Sequence, residues 1–379
     1  MEASEQVKVL QGLIKIRSTN GNEVAVARYL QQLLVAHGIS ARVDEFGDRR
    51  ANLIATVGGP HNRVLGLTGH MDTVAVDDPD HWQHDPFGAT IVGDRIYGRG
   101  AADMKSGLAA QVLALIALAD AGSLPNGTIK LIATAGEELG TPGAFRLAKQ
   151  GVADDLAALV VGEPTGGNVI FAHSGSLNYT VTSTGKAAHS SAPERGINAI
   201  SGLAKFIDAE NKLFVDAAVD PYLGQVQHSI TVIRGGQQVN TIPASAKLQG
   251  NVRPTAACDN QEVAERLQQA VNLINQQTNY HLVLNILMDY HPISTDPQSH
   301  FVQTAFAAAQ ANFPHPVSTG VINGATDASV FTANRPDLPV IVLGSDAWSL
   351  AHQTDEYTTI PSFLATIATY QQIITDFFK

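Results

Sequence analysis

The sequence is poor in cysteine and in positive charge, and each shortage excludes a class of protein. Its 379 residues include one cysteine, Cys258, which rules out a disulfide framework and a cysteine-rich zinc module. Lys and Arg number 24 against 35 Asp and Glu, so the net charge is −11 and a nucleic-acid-binding surface is not expected. No apolar run approaches the roughly 18 residues of a membrane span, and the N-terminal residues are acidic where a secretory signal would be basic. We therefore predict a soluble, cytoplasmic protein that binds neither nucleic acid nor membrane.

Apolar residues are plentiful, at 44% of the chain, and the length is typical of two or three domains. Apolar residues at helical spacing predict helices near residues 7–14 and 26–34, and an Ala/Leu-rich helix is predicted at 104–121. Short apolar runs predict buried strands at 64–67, 129–133, 159–161 and 340–343. This alternation is typical of an α/β sheet with helical layers.

The pattern changes between about residues 176 and 289, where the predicted order is β-α-β-β-α-β. That order is typical of a ferredoxin-like unit. After it, the alternation of the first part resumes. We therefore predict a core domain in two parts, 1–175 and 293–379, interrupted by an inserted domain at 176–292.

Histidine and acidic side chains follow the predicted strands of the core domain or precede its Ala-rich helix. They are His70, Asp72, Asp103, Glu137, Glu138, Glu163 and His352. Open α/β sheets bind ligands beyond the carboxyl ends of their strands, so these side chains are expected to converge. Imidazole and carboxylate without thiolate suit zinc, cobalt or manganese at a catalytic site. Five protein ligands are too many for a single catalytic zinc ion, which favours two metal ions that share a bridging carboxylate.

The spacing within this set also indicates roles. Asp72 can accept a hydrogen bond from the far ring nitrogen of His70 and so fix its orientation. Adjacent Glu137 and Glu138 diverge after a strand, so one would be a ligand and the other a general base. Taken singly, these motifs are usually solvated loop features, and Asp103 could simply cap the following helix. Their joint occurrence, each after a strand, favours the metal centre.

These motifs resemble a known family over nearly the whole chain. The segments that carry the resemblance are 70–74, 98–105, 137–138, 162–164 and 351–352. They are similar to the signature segments of the dinuclear metallopeptidase family that includes acetylornithine deacetylase, succinyl-diaminopimelate desuccinylase, aminoacylase-1 and carboxypeptidase G. The resemblance implies a zinc-aminopeptidase-like catalytic domain, in which a mixed sheet lies between helices, with an inserted lid and dimerisation domain.

The resemblance also implies a role for each residue of the metal centre. Asp103 would bridge two metal ions, with His70 and Glu163 completing one site and Glu138 and His352 completing the other. Glu137 would be the general base. The implied reaction is the metal-dependent hydrolysis of the amide bond of an N-acylated amino acid.

Further residues are implied outside the metal centre. His189 lies in a segment that resembles the one whose histidine reaches the partner subunit's active site in dimeric members of the family. Asn240 and Arg253 fall where the family binds the substrate carboxylate. The loop that holds Gly324 and Thr326 resembles the family's substrate-contacting loop. A homodimer joined through the inserted domain is therefore expected.

The substrate is less closely defined. Desuccinylases of this family carry arginines where this chain has residues 172–174, and a second asparagine at the position of Val239. They also carry Thr-Ser in place of Ala325-Thr326. An anionic succinyl group calls for an arginine clamp, so a strict succinyl preference is not expected, although Arg253 remains.

Three functions stay open at this point. A biosynthetic deacylase of the succinyl-diaminopimelate desuccinylase or acetylornithine deacetylase type leads, and a cytosolic exopeptidase of the dipeptidase or carboxypeptidase type is the alternative. A non-hydrolytic binding protein on the same scaffold is disfavoured, because Glu137 and all five ligands are present.

Overall fold

The computed structural model describes residues 1–59 and 63–379. Its α-helices are α1 (Ala3–Lys15), α2 (Glu23–Ala36), α3 (Ser106–Asp120), α4 (Pro142–Lys149), α5 (Ala199–Glu210), α6 (Asn260–Gln277), α7 (His300–Asn312), α8 (Ala328–Phe331) and α9 (Ile360–Phe377). Its strands are β1 (Ala41–Phe46), β2 (Arg50–Gly58), β3 (Val64–His70), β4 (Thr90–Val92), β5 (Arg95–Tyr97), β6 (Thr128–Thr134), β7 (Ala158–Val161), β8 (Val169–His173), β9 (Ser176–Thr184), β10 (Ala188–His189), β11 (Gln227–Gly235), β12 (Thr241–Ile242), β13 (Ser245–Arg253), β14 (His281–Tyr290), β15 (Ile293–Ser294), β16 (Thr319–Ile322), β17 (Val340–Val342) and β18 (Tyr357–Thr359).

The chain divides into two compact units. The first comprises Met1–Phe171, Ser294–Gly320 and Thr326–Lys379, and the second comprises Ala172–Ile293 and Val321–Ala325. The short segment Val321–Ala325, which the sequence analysis assigned to the core domain, therefore groups with the second unit.

A mixed sheet organises the first unit, with its strands in the order β1-β2-β6-β3-β7-β17-β8-β15 and with β16 beside β8. The central strands β6, β3, β7 and β17 run parallel, whereas β1, β2 and β6 pair antiparallel. All seven residues of β3 are buried, as expected for a parallel strand covered on both faces. The predicted mixed α/β fold is confirmed.

Helix α3 lies at the centre of the first unit. The segment Ala101–Asp120 is long and apolar enough to cross a membrane by length and composition, yet 94% of it is buried within the protein. It is therefore a core helix. A tight, partly non-helical turn at Ala101–Lys105 precedes α3. Lys105 is fully buried, and its Nζ donates hydrogen bonds to the carbonyl oxygens of Leu13 (3.0 Å) and Ile16 (2.7 Å) at the end of α1.

The second unit contains a four-stranded sheet with the strand order β11-β13-β9-β14, in which each neighbouring pair of strands is antiparallel. Along the chain its principal elements follow the predicted order β-α-β-β-α-β, as β9, α5, β11, β13, α6 and β14. Its core includes Tyr179, Leu203, Phe206, Leu248 and Leu267, contributed by β9, α5, β13 and α6. A separate two-stranded pairing joins β10 to β12.

One close backbone approach in the first unit fixes where two site-bearing segments meet. Gly107, in the first turn of α3, lies so near the loop after β7 that a Cβ added to it would be 1.8 Å from the carbonyl oxygen of Gly162. Gly162 immediately precedes Glu163, and Gly107 follows Asp103 by four residues. The absence of a side chain at Gly107 therefore lets these two acidic residues approach each other.

We predict that Gly107→Ala destabilises the protein by about 1–3 kcal/mol or more, because the added methyl group overlaps main-chain atoms that have no rotamer to change. The midpoint of thermal unfolding measured by calorimetry should fall. Gly320→Ala is the matched control, since a Cβ there would meet only the Ile170 side chain at an ordinary 3.5 Å. Equal midpoints for Gly107→Ala and the wild type would contradict the close approach.

Candidate metal centre

Each of the five predicted ligands lies at the same edge of the sheet in the first unit. His70 is the last residue of β3, Glu138 lies in the short 3₁₀ turn after β6, and Glu163 lies two residues beyond the end of β7. Asp103 is in the turn before α3, and His352 is in the loop before β18. Because β6, β3 and β7 are adjacent and parallel, their carboxyl ends bring the first three residues together.

Asp103 lies between two histidines, with one carboxylate oxygen towards each. Its Oδ1 is 3.0 Å from His70 Nε2, and its Oδ2 is 3.2 Å from His352 Nε2. Glu138 Oε1 is 2.7 Å from the same His352 nitrogen, and Glu163 Oε1 is 3.6 Å from the His70 nitrogen. The five side chains therefore form two groups that share Asp103. Asp103 does not cap α3, whose N-cap is Lys105.

The electrostatics of this cluster favour bound cations. Burial opposes ionisation of Asp103, but hydrogen bonds from His352 and His70 outweigh it and lower the pKa of this carboxyl. Hydrogen bonds to Asp103 and Glu138 raise the pKa of His352 to about 10. Burial opposes the charged form of His70, yet the negative charges of Glu163, Asp103 and Asp72 raise its pKa well above the ordinary value.

The donor set fits divalent metal ions. Ligand atoms of His70, Asp103 and Glu138 all lie within 4.8 Å of one another. Glu163 is buried, and its Oε2 has no hydrogen-bond partner among the described residues, so this carboxylate has a free acceptor oxygen. Imidazole nitrogens with carboxylate oxygens suit zinc, cobalt or manganese.

Asp72 orients His70, as its spacing predicts, and also holds a neighbouring turn. The ring Nδ1 of His70 lies 3.0 Å from the main-chain carbonyl oxygen of Asp72, and 3.6 Å from its carboxylate. The acceptor for His70 is therefore the carbonyl oxygen of Asp72, which leaves the carboxylate for other donors. The Asp72 carboxylate accepts hydrogen bonds from the backbone N–H groups of Gly136 (2.8 Å), Glu137 (3.0 Å) and Glu138 (3.1 Å). It thus holds the turn that presents both glutamates.

Glu137 and Glu138 diverge, as their adjacency predicts. Glu138 contacts His352, whereas the Glu137 carboxylate makes no hydrogen bond or ion pair within the described ranges 1–59 and 63–379. Burial, reinforced by the negative charges of Asp327 and Glu138, raises the pKa of Glu137 well above its ordinary value. A carboxylate with a raised pKa and a free oxygen is suited to accept and return a proton.

Asp327 is a buried acid of this centre that the sequence analysis did not single out. Its Oδ2 accepts a hydrogen bond from the hydroxyl of Thr134, and burial raises its pKa to about 6. The neighbouring Thr326, a predicted substrate contact, is buried, and its hydroxyl oxygen accepts a hydrogen bond from the Ala328 N–H at 3.2 Å. The sequence could have indicated Asp327, since it is the acidic residue of the segment 323–327 that resembles the substrate-contacting loop. Its proximity to Glu137, however, is visible only in the three-dimensional structure.

The remaining predicted substrate contacts lie in the second unit. His189, on β10, is exposed, and its Nδ1 lies 2.8 Å from the Ser191 hydroxyl. Asn240 is exposed before β12, Arg253 is half-buried at the end of β13, and Gly324 lies in the segment Val321–Ala325.

Comparisons with solved structures support the fold. The chain is similar to aminopeptidase PepT from Bacillus cereus, with a TM-score of 0.80, 22% identity and complete coverage of both chains. It is also similar to a dinuclear metal-binding peptidase from Bacillus subtilis, with a TM-score of 0.76, 15% identity and coverage of 99% and 98%.

Sequence relatives cover the chain equally well. A probable succinyl-diaminopimelate desuccinylase from Staphylococcus aureus is 34% identical, covering 99% of this chain and 98% of the relative. Succinyl-diaminopimelate desuccinylase 2 from a Ruegeria species is 28% identical, covering 99% and 96%. Residues 66–376 match Peptidase family M20/M25/M40. The predicted resemblance and enzyme class are thereby confirmed, and the chain belongs to Peptidase family M20/M25/M40.

Proposed function

We propose that this chain is a cytoplasmic, metal-dependent amidohydrolase that removes the acyl group from an N-acylated amino acid. The succinyl-diaminopimelate desuccinylase or acetylornithine deacetylase type is the leading candidate. The observation that carries the proposal is the position of Asp103, whose two oxygens lie towards His70 and His352. The names of the relatives at 34% and 28% identity agree with it.

Two divalent ions, most simply zinc and alternatively cobalt or manganese, would be held by the five side chains of the centre. Asp103 would bridge them, His70 and Glu163 would complete one position, and Glu138 and His352 the other. When bound, such ions bring the acidity of water towards neutral pH and polarise the carbonyl group of a substrate.

Glu137 supplies the proton transfers in this proposal. It takes a proton from the attacking water, because its carboxylate has no competing partner among the described residues and its pKa is raised by burial. It then returns that proton to the nitrogen of the leaving amine, so that the amide bond breaks into a carboxylic acid and a free amino acid. Asp72 keeps Glu137 in place by accepting the hydrogen bond from its backbone N–H.

Four residues outside the metal centre supply the substrate contacts in this proposal. Asn240, Arg253 and Gly324, together with Thr326 of the first unit, would bind the substrate. His189 would donate a hydrogen bond to the carbonyl oxygen as negative charge develops on it, acting from the partner subunit of a homodimer. His189 is exposed, and its neighbours Ser190 and Ser191 have small side chains, so this segment could approach another surface closely.

A cytosolic exopeptidase of the same family is the second candidate. His173 lies at one of the positions where the resemblance expects an arginine for a succinyl group. It is buried, and burial lowers the pKa of its imidazole to about 4, so it is neutral at pH 7. A neutral ring does not replace an arginine for an anionic acyl group, which favours a neutral acyl group or a peptide.

The first test compares substrates with and without metal. Purified protein should contain close to two divalent ions per chain, and it should hydrolyse one of N-succinyl-diaminopimelate, N-acetylornithine or a dipeptide panel far faster than the others. Chelation should abolish the hydrolysis, and added zinc, cobalt or manganese should restore it. Full activity in protein without divalent metal would contradict the proposed mechanism, and preference for the dipeptides would select the exopeptidase.

The second test separates the base from its neighbouring ligand. Glu137→Gln keeps the size of the side chain but cannot take a proton, so kcat should fall at least ~10²–10⁴-fold while metal content stays at the wild-type level. Glu138→Gln is the matched comparison at the adjacent position and should weaken the binding of one metal ion. Turnover by Glu137→Gln near the wild-type rate would show that another group is the base.

The third test concerns His189 and the dimer. His189→Ala should lower kcat by about 10²–10³-fold, the cost of losing one oxyanion donor, with metal content unchanged. His281→Ala, which removes another exposed histidine of the second unit, is the control. Mixing His189→Ala with Glu137→Gln should restore activity after subunit exchange, because one of the two sites then has an intact Glu137 and the partner's intact His189. Proven exchange without recovery would exclude action across the dimer.

A further inference from the structure

A buried carboxylate that is not among the predicted ligands holds the main chain of Asp103. Glu356 lies in the loop just before β18, and its side chain is 1% exposed. Its Oε1 accepts hydrogen bonds from the backbone N–H groups of Ala102 (2.8 Å) and Asp103 (2.9 Å). Its Oε2 is 2.7 Å from Nη1 of Arg99, whose side chain is 3% exposed.

The guanidinium of Arg99, which pairs with Glu356, also contacts the main chain of the segment that contains His352. It donates hydrogen bonds to the carbonyl oxygens of Gln353 (3.2 Å) and His352 (3.5 Å). It also lies 5.1 Å from the centre of the Trp82 ring, a distance at which a cation is attracted to the aromatic face. The ion pair therefore connects the segment of Asp103 with the segment of His352, which lies some 250 residues further along the chain.

Both segments need such a restraint. His352 has a φ of +63°, a left-handed conformation that costs free energy for a residue with a Cβ and that persists only where the surroundings impose it. Asp103 must keep its carboxylate plane oriented so that each oxygen is directed towards a different histidine. The pairing of β5 with β18 and the hydrogen bond from Gly98 N–H to the Glu356 carbonyl oxygen (2.8 Å) restrain the same two segments from outside the site.

We propose that Arg99 and Glu356 are positioning residues that set the relative placement of Asp103 and His352. Through that placement they determine the affinity of the metal position formed by Asp103, Glu138 and His352. This inference rests on the metal centre of the proposed function. The position that contains His70 and Glu163 depends less on the pair, because strands β3 and β7 place those two ligands. A hydrogen-bonded residue behind a ligand typically changes metal affinity by ~10–100-fold.

Two variants remove different parts of the pair. Glu356→Gln keeps an oxygen that can accept from Ala102 and Asp103 but turns an amide towards Arg99 in place of a charge. Arg99→Lys keeps the positive charge but loses the planar fork that reaches the two carbonyl oxygens. Asp44→Asn is the matched control. Asp44, on β1, is a buried acid whose two carboxylate oxygens accept hydrogen bonds from Nε (2.7 Å) and Nη2 (3.1 Å) of Arg146 on α4. It contacts none of the five ligands.

The experiment is a chelator-buffered zinc titration of each folded variant, with fold and thermal midpoint checked by circular dichroism. Asp44→Asn should bind two ions, each with the same affinity as in the wild type. Arg99→Lys and Glu356→Gln should each bind one ion ~10–100-fold more weakly and the other within about threefold of wild type. In a Glu138→Gln background, where the same position is already weakened, Arg99→Lys should have little further effect on the remaining ion.

The outcomes separate this inference from the proposed function. A wild-type protein that does not bind two ions would remove the metal centre and the inference together. Two ions of wild-type affinity in folded Arg99→Lys and Glu356→Gln would overturn the inference alone. Equal weakening of both ions, or the same weakening in Asp44→Asn, would show a general structural effect and would also overturn it. If Glu356→Gln does not fold, the milder Arg99→Lys decides the result.

Discussion

The concentration of carboxyl groups at one edge of the sheet is the constraint on which the rest of the site depends. Glu137, Glu163 and Asp327 all have raised pKa values, and burial is the largest cause in each case. Burial acts in the same direction on Asp103, but hydrogen bonds from the two imidazoles that face it lower its pKa instead. A buried group of like charges must either bind protons or bind other cations. Two histidines, with the Asp103 carboxylate between them, offer metal ions a place to supply that positive charge.

Two further acids hold the backbone of the turns that carry the ligands. Asp72 accepts the N–H groups of the turn that holds Glu137 and Glu138, and Glu356 accepts those at Ala102 and Asp103. A carboxylate binds backbone N–H groups strongly, because charge-assisted hydrogen bonds are about twice as strong as neutral ones. The ligand-bearing turns are thus fixed by side chains from other elements, which frees the ligand side chains themselves for cations.

The elements that the sequence analysis predicted well are those with a strong local pattern. The apolar run that begins β3 and the Ala/Leu-rich helix α3 both lie where their patterns placed them. Strand β1 was not predicted, because this strand at the edge of the sheet carries a mixture of polar and apolar residues with little periodicity. The two-residue strands β10 and β12 have too few residues to give any pattern.

The residues of the candidate site also differ in whether a local sequence pattern reveals them. The histidines and acids that end strands could be found because strand ends converge in any parallel sheet. Arg99 and Glu356 could not be paired from sequence, since their contact depends on the tertiary folding of segments about 250 residues apart. The atom that Asp72 offers to His70 could not be foreseen either, because its main-chain carbonyl oxygen and its carboxylate oxygens are only two and three bonds, respectively, from the same Cα.

This division also explains why the reaction class is easier to infer than the substrate. Hydrolysis requires ligands, a base and restrained turns, and all of these lie in the first unit, at strand ends or in turns and loops held by buried side chains. The groups proposed to recognise the substrate lie mainly in the second unit, on short strands and loops such as those of His189 and Asn240, which are exposed. Exposed loops are held by few contacts, so many residue types satisfy their folding, and specificity can change there while the metal centre stays the same.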